Sequence, residues 1–378
     1  MAKHPCILIL HATAGAGHKR AAEALAAAAK IQAPEAEVVV RDILDFTAPI
    51  FKKTYAEGYL NLVRTIPELW GYLYSRIDKN ATKPHEANIR KVFNKLNTLT
   101  FTKFFKELQP DAVICTHFMP LEIISTFIQE GKTSVPLYCV VTDFAVHAMW
   151  VIKNVTGYFV ANEESKRYMV RHGQAESSVK CTGIPIDPIF SQSMSSEEAK
   201  ARLGLDRNLP AILILGGGFG VGPTAQLLGS FINVGAQCQI MVVAGKNQEM
   251  QRNAEAIGQT LQCPVKVFGF VNNIHELMDA SDLIISKPGG LTSCEVLAKK
   301  KPLAIIDPIP GQEQRNCEYL LEIGAAVRLY DIDDAPYKIR ELLNDKGRMQ
   351  QMANNAGKAA RPNASLDIIK DVIASVME

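Results

Sequence analysis

Residues 8–30 read LILHATAGAGHKRAAEALAAAAK, and they decide the fold. An unbroken apolar run through Leu10 marks a strand buried on both faces. It enters a turn carrying Gly15 and Gly17, and an alanine-rich helical pattern follows over 17–31. The free amides at the start of such a helix make a place for an anion or a reacting group. His18 stands at that point. The spacing is not G-x-x-x-x-G-K-[ST], so the turn is no nucleotide P-loop, and a histidine there points to chemistry.

The same alternation recurs along the chain. Strands are expected near 6–11, 37–41, 111–115, 135–141, 156–160 and 179–181, with helices between them, notably 17–31 and 86–108. A second series is expected near 211–215, 238–244, 264–268, 282–285, 302–306 and 325–328. Short apolar strands alternating with helices predict parallel sheets covered on both sides. The proline-rich stretch at 184–195 separates the series, because proline denies the backbone a continuing helix. The expected fold is α/β, two doubly wound Rossmann-like domains (1–190 and 191–378) facing across a cleft.

Composition sets limits. The 378 residues are 47% hydrophobic and 21% charged, with a net charge of +2. That balance suits a soluble protein with sizeable cores and gives no global pull towards nucleic acid. Eight cysteines without a C-x-x-C pair read as free thiols of a reducing compartment. No run approaches the roughly 18 apolar residues of a membrane span. A cytoplasmic protein, at most peripheral on a membrane, is expected.

The second half carries polar or glycine-rich loops at successive strand ends, where open α/β sheets bind ligands. Gly216, Gly217 and Gly218 follow the first strand. SKPGGLTSCEVL (286–297) turns through Pro288, Gly289 and Gly290 into a helix opening at Leu291–Thr292. Its amides and the Thr292 hydroxyl suit a phosphate, and Glu295, one turn on, suits a ribose diol. A capping threonine with a helix-face glutamate is the alternative reading. Lys246 and Asn247, Phe270 and Val271, and Gln312, Glu313 and Asn316 occupy three further strand ends.

The stretch FGFVNNIHELMDASDLIISKPGGLTSCEVLAKKKPLAIIDPIPGQEQRNCEYLLEIGAA closely resembles the donor domain of the monogalactosyldiacylglycerol synthase family, which includes bacterial processive diacylglycerol glucosyltransferases. TAGAGHKRAAEAL, TDFAVHAMWV and YFVANEESKRYMVRHGQAESSVKCTGIPIDPIF resemble the same family in the first half. A more distant likeness is to the lipid-linked peptidoglycan N-acetylglucosaminyltransferase, of GT-B architecture. The resemblance implies a UDP-sugar donor, with Gly217 and Gly218, Lys246 and Asn247 around it. Phe270 and Val271 would frame the uracil, 288–292 the diphosphate, Glu295 the ribose, and Gln312 and Glu313 the sugar. Ala14 and Ala16 stand where the family often has glycine.

An acceptor alcohol needs a base, and His18 is the expected one, its ring kept neutral by the positive helix end. Gly15 and Gly17 would admit the acceptor. Asp143 would orient His18 or bind the acceptor, and His117 and His147 are further acceptor-side candidates. No His/Cys/Asp cluster has metal-ligand spacing, and the D-x-D within 331–334 reads as a solvated turn, so neither metal nor cofactor is expected. Residues 47–83 mix Phe51, Tyr55, Tyr59, Trp70, Tyr72 and Tyr74 with Lys52, Lys53, Arg64, Arg76, Lys79 and Lys83. They suit an anionic membrane surface, or equally an amphipathic helix pair packed on the first domain.

The expected function is inverting transfer of glucose or galactose from a UDP-sugar to diacylglycerol at the cytosolic membrane face. Another lipid or polyprenol acceptor, a UDP-sugar-binding regulator and a nucleotide-sugar epimerase are the alternatives. Glucose and galactose differ only at O4, and the residues leave that choice open.

Overall fold

A computed structural model describes residues 4–13, 15–55, 71–72, 76, 98–216, 223–233 and 238–377. Most of the aromatic-basic stretch, Gly217 and Gly218, and the expected helical segment at 86–97 lie outside these residues.

The chain divides into two compact units. One comprises Met1–Pro188 with Pro310–Gln312 and Pro362–Glu378, the other Ile189–Ile309 with Glu313–Arg361. In the first, six parallel strands form one sheet in the order β2-β1-β3-β4-β5-β6. They are β1 (Cys6–His11), β2 (Glu37–Asp42), β3 (Ala112–Cys115), β4 (Leu137–Val140), β5 (Gly157–Val160) and β6 (Val179–Cys181). All six residues of β1 are buried, as its unbroken apolar run requires, whereas β2 at the edge exposes Glu37 and Arg41.

Alternate side chains point to opposite faces. Leu8, Leu10, Val113, Leu137 and Cys139 join one core cluster, and Ile7, Ile9, Ala112, Ile114 and Val140 join another. The second face is covered by the helix Gly17–Gln32, through Ala22, Leu25, Ala28 and Ala29, and by the helix Ala364–Met377, through Ile368, Ile369 and Val372. The C-terminal helix therefore belongs to the first unit, in contrast to a simple 191–378 domain. Its apolar stripe fits any sheet face; only packing decides which.

The second unit holds β7 (Ala211–Leu215), β8 (Gln239–Val243), β9 (Val265–Phe268), β10 (Leu283–Ser286), β11 (Leu303–Ile305) and β12 (Ala326–Arg328). All are parallel, in the order β12-β11-β10-β7-β8-β9. This doubly wound order reverses direction between β7 and β10, and the first sheet reverses between β1 and β3. Ligand sites form at such reversals, beyond the carboxyl ends of the strands.

The unit boundary, after Pro188, falls within the expected linker. From there the chain is fastened to the second unit. Asp279 Oδ2 accepts from the Met194 amide (3.3 Å) and from Lys299 Nζ (2.8 Å), and Lys299 also donates to the Gln192 carbonyl. No helix among the described residues is long and apolar enough to cross a membrane.

Candidate active site

At the β1/β3 reversal, the turn after β1 delivers His18 to the residues following β3. His18 Nδ1 lies 2.7 Å from the Thr116 carbonyl, and the Thr116 hydroxyl donates to the His18 carbonyl at 2.9 Å. The two residues thus hold each other, main chain to side chain in both directions. A carbonyl oxygen only accepts, so Nδ1 carries the hydrogen and Nε2 keeps its lone pair. Thr142 Oγ1, beyond the end of β4, stands 3.1 Å from the same Nδ1.

Aromatic rings pack around the imidazole. The His117 ring meets it edge-on at 4.6 Å between centroids, and Trp150 lies at 6.2 Å. Burial pushes the His18 pKa down to about 4, opposed by the Thr116 carbonyl and assisted by His11. The ring is neutral at physiological pH, as the sequence predicts, but desolvation is the leading cause in place of the helix end. His117 is driven well below its ordinary value by burial and by the neighbouring imidazoles. His11, paired in register with Asp42, is also lowered by burial, and its buried Nδ1 has no hydrogen-bond partner.

The other first-unit candidates divide by role. Gly15 has a φ of +101°, which a side chain rarely tolerates, and a Cβ built on either Gly15 or Gly17 meets nothing within 4 Å. The turn beside His18 is open, as the approach of an acceptor requires. His117 and His147 are buried helix caps: the Nδ1 of each accepts from the amide two residues on, at 3.0 and 3.2 Å. Asp143 is half-buried in the turn after Thr142. Thr116 and Thr142 were missed in the sequence, since the contacts to His18 span 98 and 124 residues.

The second unit gathers its loops at the β7/β10 reversal. Gly216 follows β7, and a Cβ there would stand 3.1 Å from the Val243 carbonyl and closer still to Met250. Beyond β10, Gly289 caps the helix Gly290–Ala298, and Thr292 is half-buried in its first turn. Ser293 Oγ, in the same turn, is buried without a hydrogen-bond partner, and Glu295 is only 3% exposed. The next loop is tied to this one: Asn316 Nδ2 donates to the Pro288 carbonyl at 3.1 Å. Glu313 Oε2 accepts from the Ile309 amide at 2.9 Å, while its Oε1 lies 3.9 Å from where a Gly289 Cβ would be.

The loops after β8 and β9 also meet, with Lys246 Nζ 5.4 Å from the centroid of the Phe270 ring. Phe270 is 65% exposed, an unusual cost for a large apolar ring. Asn247 caps the helix Gln248–Gly258 by accepting from the Met250 amide at 3.0 Å. Gln312 and Val271 are half-buried. The acidic run at 331–334 is a turn, closed by the Asp333 amide on Asp331 Oδ1. No group of three His, Cys, Asp or Glu among the described residues is arranged to hold a metal ion.

Residues 18–186 match the family model of monogalactosyldiacylglycerol (MGDG) synthase, and residues 211–372 match the glycosyltransferase family 28 C-terminal domain. The processive diacylglycerol beta-glucosyltransferase of Bacillus cereus (strain 03BB102) is 31% identical over 375 residues, 99% of this chain and 95% of the relative. The chain belongs to the monogalactosyldiacylglycerol synthase family. It is a glycosyltransferase of that family. The relative of the same name from Bacillus pumilus (strain SAFR-032) is 30% identical over 367 residues, covering 97% of this chain and 94% of its own.

Solved structures agree on the fold. Acinetobacter baumannii MurG superposes with a TM-score of 0.65 at 17% identity, covering 98% of this chain and 99% of that one. UDP-GlcNAc 2-epimerase from Neisseria meningitidis, bound to UDP-GlcNAc, gives 0.60 at 13% identity, with 98% and 100% covered. The GT-B type of fold is shared by transferase and epimerase alike, so the fold does not separate them; sequence identity along the whole chain does.

Proposed function

We propose that this family member transfers glucose or galactose from a UDP-sugar to diacylglycerol, with inversion at the anomeric carbon, on the cytosolic face of a membrane. The observation that carries the reading is the His18 geometry: Nδ1–H is engaged by the Thr116 carbonyl, and Nε2 is left as a base. The acceptor oxygen bonds to the anomeric carbon, and its proton passes to Nε2. The bond from that carbon to the diphosphate breaks, and UDP leaves with the electron pair. Proton transfer from a hydroxyl already acidified by bond formation does not need a strong base.

The donor belongs to the loops that follow the strands of the second sheet. The amides of Gly290, Leu291 and Thr292 meet the charge on the leaving diphosphate, aided by the positive end of their helix and without a metal or cofactor. Glu295 holds the ribose, Gln312 and Glu313 the sugar, and Phe270 and Val271 the uracil. The names of the relatives support both substrate and stereochemistry, because UDP-glucose carries an α-linked sugar and those relatives are beta-glucosyltransferases. Residues 47–83 bring the enzyme to an anionic bilayer. Within their described part, Lys52 pairs with Asp45, and Phe51 and Tyr55 pack partly buried against the core, while Ile50 and Tyr72 are exposed.

The test is incubation with radiolabelled UDP-glucose or UDP-galactose over anionic vesicles containing diacylglycerol. A β-linked glycolipid from one donor is the expected product, and its chain length shows whether further sugars are added. Saturable UDP binding without a product would overturn the acceptor and favour a different lipid or a regulatory role. An α-linked product would overturn inversion.

A further inference from the structure

We infer that Thr142 is a positioning residue for His18, acting with the Thr116 carbonyl in the place that a carboxylate fills in many histidine bases. The inference rests on the reading of His18 as the base. The 2.7 Å contact to a carbonyl fixes a hydrogen on Nδ1, and Thr142 Oγ1, 3.1 Å from the same nitrogen, is a second oxygen on that hydrogen. Thr142 and Thr116 are 4% and 0% exposed, so water does not replace either.

When Nε2 takes a proton, the positive charge spreads to Nδ1–H, and hydrogen bonds to that group strengthen. Two oxygens at one N–H also stop the ring from turning, which keeps Nε2 directed at the acceptor. Both oxygens are neutral, so the imidazolium gains less than a carboxylate would give it. That agrees with the low pKa of the ring. The titratable groups around the ring are His117 after β3 and His11 at the end of β1, with Lys19 and Asp143 adjacent in the chain to His18 and Thr142. The Trp150 indole packs beside them.

Thr142→Val replaces the hydroxyl with a methyl group of the same shape. The expected result is a kcat lower by about tenfold, with the UDP-sugar KM and the UDP Kd unchanged. Thr142→Ser, which restores the oxygen, should recover most of that loss. By nitrogen-15 NMR, the His18 ring should be the Nδ1–H tautomer in the parent and in the valine variant alike, since the Thr116 carbonyl holds that hydrogen in both. A lower kcat in the valine variant then reports ring positioning and not a change of tautomer. Parental kcat in Thr142→Val, or failure of serine to restore it, would overturn the positioning role. His18→Gln separates the two ideas. An active His18→Gln enzyme removes the base itself, whereas an inactive one beside a fully active Thr142→Val removes only the role of Thr142.

Discussion

At the scale of single residues, His18 carries the chemistry and its surroundings set when it works. Its pKa is about 4 in the fold against an ordinary 6.5. A base must be neutral to accept a proton, so activity is retained as pH falls through 6.5 and is lost only near 4. The acid limb of kcat/KM should therefore lie about two and a half pH units below that of a solvated histidine. A limb centred at 6.5 in a pH–rate profile would show that His18 is not so buried, or not the base. The sign for stability follows from the same shift. The unfolded chain binds this proton more readily, so the contribution of His18 to folding is fully present above 6.5 and declines towards 4.

Much at this scale was legible in the sequence. The glycine turn and the helix start put His18 at a strand end, because local pattern fixes local geometry. What holds the ring was not legible. Thr116 and Thr142 are ordinary residues in sequence, and they matter only because parallel pairing sets the ends of β1, β3 and β4 side by side. His117 and His147, acceptor-side candidates in the sequence, each cap a helix through Nδ1, a contact to the amide two residues on.

At the scale of elements, the segment after Pro188 is fastened by a charge pair withdrawn from water. Lys299 and Asp279 have side chains 0% and 5% exposed at 2.8 Å, and they also bind the backbone of Gln192 and Met194. Removing one partner strands the other charge, at a cost of about 3–5 kcal/mol. Lys299→Met should lower the denaturation midpoint accordingly, and adding Asp279→Leu should recover part of the loss. A single variant as stable as the parent in chemical denaturation would show that the pair contributes little. The sequence showed prolines and a boundary here. It did not show that a lysine more than a hundred residues later binds the linker.

At the scale of the whole molecule, the last helix joins the unit in which the chain began. Ile368, Ile369 and Val372 cover Ile7, Ile9 and Leu25, and Lys180 pairs with Asp371 at 2.8 Å. Ending the chain after Arg361 would expose that core. Each buried side chain of this size contributes about 1.5–3 kcal/mol, so three of them approach the whole stability of a domain. The expected outcome is selective unfolding of the first unit, with the second retaining its transition in calorimetry and its affinity for UDP. Loss of UDP binding in the truncated protein, or an unchanged first transition, would contradict this assignment.

The sequence by itself determined the strands, the alternation with helices, the two doubly wound sheets and the loops where chemistry collects. These depend on short-range periodicity and on the steric needs of glycine and proline, which each stretch carries on its own. Tertiary structure alone decided which oxygens hold His18, which lysine fastens the linker and which sheet the C-terminal helix covers. Those outcomes depend on contacts between residues far apart in the chain. An amphipathic stripe or a threonine hydroxyl has many suitable partners, and only the packing of the complete fold selects one.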